Sequence, residues 1–269
     1  MAETFLILLA AGVMLAAAVS DPREVTLRWL RLCGIIALAM AGLAIFFWFR
    51  RETVAEIPAS FYRVQSGMVG ASVLAIVGQL ALVQLAWRKA QRAFACAAFI
   101  IGVLLGSHLL HEMMVIRGSA INFPPKAFSM ILQTWSCSGV AAMCGLALMD
   151  MLLGHAYLTA SQMPMSPFRR LNNALALALI ARALVAVGGV VALQMARPIA
   201  GLWNIYGLYI GTRWFIGLLV PAIFVYMAHD CIKRRSTQSA TGILYVTGVL
   251  IFIGEIIALY LVRETSLPF

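Results

Sequence analysis

Long apolar stretches alternate with short polar breaks from one end of the chain to the other. Eight such stretches run over about 4–20, 28–49, 66–87, 93–115, 128–153, 172–194, 209–232 and 241–262. Asp21-Pro22-Arg23-Glu24 closes the first, Arg50-Arg51-Glu52 the second and Arg88-Lys89 the third. Phe123-Pro124-Pro125-Lys126 precedes the fifth, Pro164, Pro167 and Arg169-Arg170 follow it, and Lys233-Arg234-Arg235 follows the seventh. Each run is long enough to cross a bilayer as a helix. A backbone inside hydrocarbon has no water to bond with and must satisfy itself, and the apolar pattern lacks the alternation of barrel strands. The pattern predicts an all-α, polytopic membrane bundle of about eight spanning helices in a single transmembrane domain over residues 1–269.

Composition supports this reading. The chain is 63% hydrophobic and 11% charged, with a mean hydropathy of +0.95. No polar stretch is long enough for a soluble domain. Met1 to Ser20 lacks a basic leader and reads as the first span rather than a removed signal. The net charge of +10 does not indicate nucleic acid, because the basic residues sit in short loops between apolar runs.

With the N-terminus outside, the inner loops hold Arg23, Arg28, Arg31, Arg88, Lys89, Arg92, Arg169, Arg170, Lys233, Arg234 and Arg235. The outer loops hold Arg50, Arg51, Arg63, Arg117, Lys126, Arg197 and Arg263. This 11-to-7 bias predicts a multi-pass protein of the inner (plasma) membrane with both termini outside. Five scattered cysteines without a CxxC read as packing residues, not as disulfides or a zinc site.

A slide of 146 residues lays Gly102–Arg117 on Gly248–Arg263, matching Gly-Val-Leu at one end and Arg at the other. It suggests a parallel four-plus-four repeat, 1–127 and 128–269.

The polar residues inside the spans are the candidates for chemistry, since an ionisable group at membrane depth is costly and is functional by default. His108, His111 and Glu112 share one side of the fourth helix near its outer end, with Glu112 expected to reach the outer headgroups. Arg213 and Glu255, from the seventh and eighth spans, are expected at nearly the same depth and within reach of each other. Arg182, near the middle of the sixth span, is too deep to reach water and needs an oxygen partner.

These residues point to a quinone site: His108 and Glu255 are the candidate catalytic pair, and His108, His111, Arg182, Arg213 and Glu255 the candidate quinone-binding set. At the inner side His155 and His229 stand at helix ends. Two such histidines are a possible ligand pair for haem b, although capping of helix carbonyls is the favoured reading, and no other metal site is expected. No nucleotide loop, HExxH or GxSxG is present, which argues against a self-contained hydrolase or ATPase.

Eight spans, an outer polar cluster and the lack of an extramembrane domain resemble, in architecture, the quinol-reactive membrane-anchor subunits of molybdenum reductases. The resemblance implies a quinone or quinol as cofactor and redox subunits of a respiratory complex as partners, beside the lipid bilayer. It carries over no individual residue. A small-molecule or ion transporter with Arg182 and Glu255 at a central site, and a structural subunit of a larger assembly, are the alternatives.

Overall fold

The computed structural model describes residues 1–50, 59–116, 126–159, 163–196 and 199–265. Among them every regular element is helical: α1 (Ala2–Val19), α2 (Leu27–Phe49), α3 (Ala59–Gln84), α4 (Arg88–Ile116), α5 (Lys126–Thr159), α6 (Ser166–Ala196), α7 (Ile199–Trp214), a π-helical turn (Phe215–Leu219), α8 (Val220–Lys233) and α9 (Thr237–Thr265). With α7, the π turn and α8 forming one continuous span, eight helices are long and apolar enough to cross a membrane. The chain is therefore an all-α polytopic bundle.

Apolar side chains fill the bundle interior and also cover its outer surface. Leu74, Leu184, Leu208 and Tyr226 point outward, where lipid is the solvent, while Gln65, Ser136, Asp150, Arg182, Arg213 and Glu255 are buried. A polar group in hydrocarbon needs a partner, and only the bundle interior supplies one.

α1 and α5 form the centre. Gly12 and Gly145 let their backbones touch: a Cβ on Gly12 would sit 1.7 Å from the Ala141 carbonyl oxygen, and one on Gly145 would sit 1.9 Å from the Gly12 carbonyl carbon. Small residues permit this approach, which replaces the missing hydrophobic drive with close van der Waals packing. Around this pair the two halves pack alike. In the first, α1 packs on α2 and α4, and α3 packs on both α2 and α4. In the second, α5 packs on α6 and α9, and α8 packs on both α6 and α9.

The turns repeat as well. Leu85-Ala86-Trp87 joins α3 to α4 and Arg234-Arg235-Ser236 joins α8 to α9, each with its middle residue at positive φ, 56° and 58°. In both, the third turn residue donates back across the helix end, Trp87 N to the Leu82 carbonyl and Ser236 N to the Cys231 carbonyl. This is the left-handed closure common at helix C-termini. Ala86 and Arg235 lie 149 residues apart, so the turns correspond three residues away from the 146-residue slide, nearly one helical turn. Arg117, one matched end of that slide, lies outside the described residues.

Met1 and Arg263 meet, the guanidinium Nη1 3.3 Å from the thioether sulfur, so the described chain ends, Met1 and the last turn of α9, share one face of the bundle. At the opposite face Arg92 donates to the Ala18 carbonyl, and Arg170 pairs with Asp21 and Glu24. There the Asp21 carboxyl is held below its ordinary value, chiefly by the Arg23 backbone N–H, which outweighs the opposing effect of burial and is helped by the charges of Arg170, Arg92 and Arg23.

Candidate functional site

Glu255 follows Gly254 on α9 and faces α5, α6 and α7. The Arg182 guanidinium, from α6, donates through Nε to both carboxylate oxygens at 3.3 and 3.1 Å, and through Nη2 to Oε2 at 3.0 Å. Arg213, from the end of α7, donates through Nη2 to Oε1 at 2.7 Å. Both ion pairs have completely buried side chains. The remaining Arg182 nitrogen, Nη1, donates to Ser136 Oγ on α5 at 3.1 Å. The structure thus gives Arg182 and Arg213 the same partner, so that one carboxylate binds three helices to α5 through Arg182.

Local sequence makes room for this. The Arg182 stem passes over Gly139, where a Cβ would come within 2.8 Å of Arg182 Cδ. Gly217 and Gly254 bring the π turn against α9: a Cβ on either would lie 2.7 or 2.3 Å from the other's Cα, and about 3.0 Å from Arg213 Nη1. The π turn begins two residues after Arg213. Such single turns insert one residue into a helix, which rotates the residues beside it, and they recur at functional sites.

The partners do not balance. One carboxylate faces two guanidiniums, leaving one positive charge in excess. Arg182 uses all three of its nitrogens. Arg213 uses one: its Nε and Nη1 are buried and have no hydrogen-bond partner among the described residues. Unfilled charged donors in a dry interior are expensive, and an oxygen-bearing ligand would satisfy them. Glu255, by contrast, accepts two hydrogen bonds at each oxygen, which fills the roughly four lone-pair positions of a carboxylate.

One turn beyond the cluster, toward the face that carries the chain ends, an apolar opening of about 590 Å³ lies between α1, α7 and α9. Phe5, Leu6, Ile256 and Leu259 line it together with Tyr209 and Tyr260, whose ring centroids are 5.0 Å apart. Tyr209 precedes Arg213 by four residues and Leu259 follows Glu255 by four, so each lies one turn along the same helix face.

The fourth-helix residues form a separate group. His108 packs against the ring of Phe61 on α3 at 5.3 Å between centroids, and His111 faces the same ring at 6.4 Å. Glu112 does not reach outward to headgroups. It is buried and accepts from Gln65 Nε2 at 2.8 Å, because α3 covers that side of α4. His108 and His111 therefore face α3, whereas Glu255 faces α5, α6 and α7, and the described contacts do not bring the two sets together.

At the face opposite the Met1–Arg263 contact, His155 is exposed on α5, and His229 lines a groove between α6 and α8. Among the described residues no group of three or more His, Cys, Asp or Glu is arranged to hold a metal ion. All five cysteines are free.

Three buried polar residues were not singled out from the sequence. Ser136 supports Arg182, Gln65 supports Glu112, and Asn172 donates through Nδ2 to Asp150 at 3.1 Å. Each is an amide or hydroxyl in an apolar run, a signal as plain as that of the charged residues but shared with many inert positions. No family model, curated protein or solved structure matches this chain, and its chemistry is read from the cluster itself.

Proposed function

We propose that this protein is a quinone- or quinol-binding membrane subunit of an electron-transfer complex, with the ring oxygen of the quinone hydrogen-bonded to Arg213. The observation that carries this reading is Arg213 itself, fully buried with two unfilled donors, one turn from an apolar opening. A quinone matches both features: its isoprenoid body suits the apolar opening and its carbonyl oxygen suits the guanidinium. Glu255 and Arg182 act here as positioning groups. They hold Arg213 in place and offset its charge, while Ser136 fixes Arg182. Oxidation of a quinol there delivers two electrons to a redox group of a partner subunit, the oxidant this reading requires, and two protons to water at the mouth of the opening. The 11-to-7 basic bias supports a position for this site in the outer half of an inner membrane, with both termini outside.

The excess positive charge favours a second reading, a transporter for a small organic anion that would pair with the same guanidinium. Titration of the purified protein with a short-chain ubiquinone and a short-chain naphthoquinone, followed by tryptophan fluorescence, separates the two. Saturable quinone binding is expected, weakened about tenfold or more by Arg213→Met, the loss of one charged hydrogen bond. Leu6→Trp, which fills the opening without touching the cluster, is expected to weaken it too. Wild-type protein that binds neither quinone, but takes up carboxylates into vesicles in an Arg213-dependent way, would replace the quinone reading with the transporter.

A further inference from the structure

A second recess lies between α6 and α8, at the opposite end of the bundle from the chain termini, with a volume of about 320 Å³. Its walls change character along its length. Ala176, Leu179, Ala222 and Val225 make the deeper part apolar, and the two alanines make it wide enough for a chain. Asn172, Asn173 and His229 line the end nearer the loops. Tyr226 and Ile180, both exposed, flank a side opening toward the position of the bilayer.

Charge gathers at the polar end. Lys233, one turn after His229 on α8, and Arg169, at the start of α6, both act electrostatically on the His229 ring. Asp230 also faces that ring, but its carboxylate is engaged by Arg234 at 2.9 Å. The neighbouring Arg170 is spent on Asp21 and Glu24. Among the described residues neither Arg169 nor Lys233 is in an ion pair. In the recess wall Asn172 is completely buried. Its Nδ2 is bonded to Asp150, and its Oδ1 has no partner among the described residues.

We infer that this groove is a binding site for an anionic phospholipid: one acyl chain lies between α6 and α8, and the phosphate sits against Arg169, His229 and Lys233. The site has the three parts such a ligand requires: an apolar slot open to the bilayer, an unneutralised basic mouth at its interfacial end, and an unfilled acceptor for a headgroup or glycerol hydroxyl. A basic pocket between spanning helices is a known physical basis for selecting anionic over zwitterionic lipid, each cation adding a preference of roughly fivefold. The inference is independent of the quinone reading, because the two sites occupy opposite ends of the bundle.

The test uses the full-length protein in detergent, mixed with dioleoyl phosphatidylglycerol and dioleoyl phosphatidylcholine and examined by native mass spectrometry. One phosphatidylglycerol is expected to be retained in preference to phosphatidylcholine. Arg169→Gln with Lys233→Gln is expected to reduce that preference roughly 30-fold. Ala176→Phe, which fills the slot and leaves the charges, should abolish retention of the single lipid. Arg88→Gln with Lys89→Gln, at the start of α4, removes as much charge outside the groove and should leave the preference in place. Equal retention of both lipids by the wild type, or a preference that survives both groove variants, would overturn the inference.

Discussion

The two halves of this bundle share a packing scheme and a turn, yet they treat the same problem differently. In each, the third helix holds a donor that reaches a buried carboxylate on the fourth. Gln65 serves Glu112 in the first half and Arg213 serves Glu255 in the second. Measured from the positive-φ turn residues, Gln65 lies 21 positions before Ala86 and Arg213 lies 22 before Arg235. The one extra residue is what the π turn after Arg213 inserts. The donors therefore correspond, but the carboxylates do not. Glu112 lies 26 positions beyond its turn and Glu255 only 20, a difference of roughly 9 Å along a helix.

Gln65 reaches toward the helix end with a neutral amide. Arg213 reaches toward the middle with a charge, where Arg182 joins it. The buried stripe of α2, the helix that corresponds to α6, contains only Trp29, Leu30, Cys33, Gly34, Ala37, Ala41 and Ala44, and offers no such arginine. The two halves share their packing order and turn geometry, whereas among the described residues the buried arginines lie only in the second.

The largest effect that tests this asymmetry is the loss of each carboxylate. Glu255→Leu leaves two buried guanidiniums facing each other and is expected to cost about 3–5 kcal/mol, enough to prevent accumulation in the membrane. Glu112→Leu removes one charged hydrogen bond and is expected to cost about 1.5–3 kcal/mol. Melting in detergent and membrane levels compare the two directly. Equal losses would mean that the halves are energetically alike.

Next comes the seam between the halves. Gly12→Val drives a side chain into the α5 backbone at Ala141, which cannot move aside as a side chain does, and is expected to cost about 1–3 kcal/mol or more. Gly211→Val, at a position with open space around it, is the control and should melt within about 0.5 kcal/mol of wild type.

Exchange of the donors sharpens the comparison. Arg213→Gln makes the second half resemble the first, keeping one hydrogen bond to Glu255 while removing the excess charge. The expected result is a protein that still assembles, destabilised by about 1 kcal/mol, with quinone binding lost. Assembly with undiminished quinone binding would show that the charge is structural only.

The smallest effect is expected at the loop face that ties the halves together. The Asp21 carboxyl lies below its ordinary 3.8, so its contribution is fully present above that pH and is lost as the pH falls through the depressed value. Asp21→Asn should therefore melt slightly below wild type at pH 7, with the difference vanishing under strongly acidic conditions. Because the pair with Arg170 is solvent-exposed, a large difference would contradict its assignment as a surface contact.

Much of the bundle was legible in the sequence. Eight apolar runs gave eight spans because, in hydrocarbon, length and apolarity are nearly sufficient conditions for a helix. The reach of Arg213 to Glu255 was also legible, since depth along a spanning helix can be counted from its ends. Depth, however, says nothing about direction around the helix axis. This is why His108, at a depth near that of Glu255, faces α3 instead, and why Glu112 turned out buried. The gapless 146-residue slide differs from the turn correspondence by three residues because apolar residues substitute freely along a lipid-facing helix and fix no register.

The sequence by itself determined which residues enter the membrane and which charged groups must find partners there. Those outcomes follow from transfer free energy, a property of each segment alone. Tertiary structure alone decided the partners: that Arg182 and Arg213 share one carboxylate, that Ser136 takes the last Arg182 nitrogen, and that two Arg213 nitrogens are left without a partner among the described residues. The physical reason is that rotation of each helix about its own axis is set by the contacts of its neighbours, here through Gly12 against Gly145 and Gly217 against Gly254, and those contacts join residues far apart in the chain.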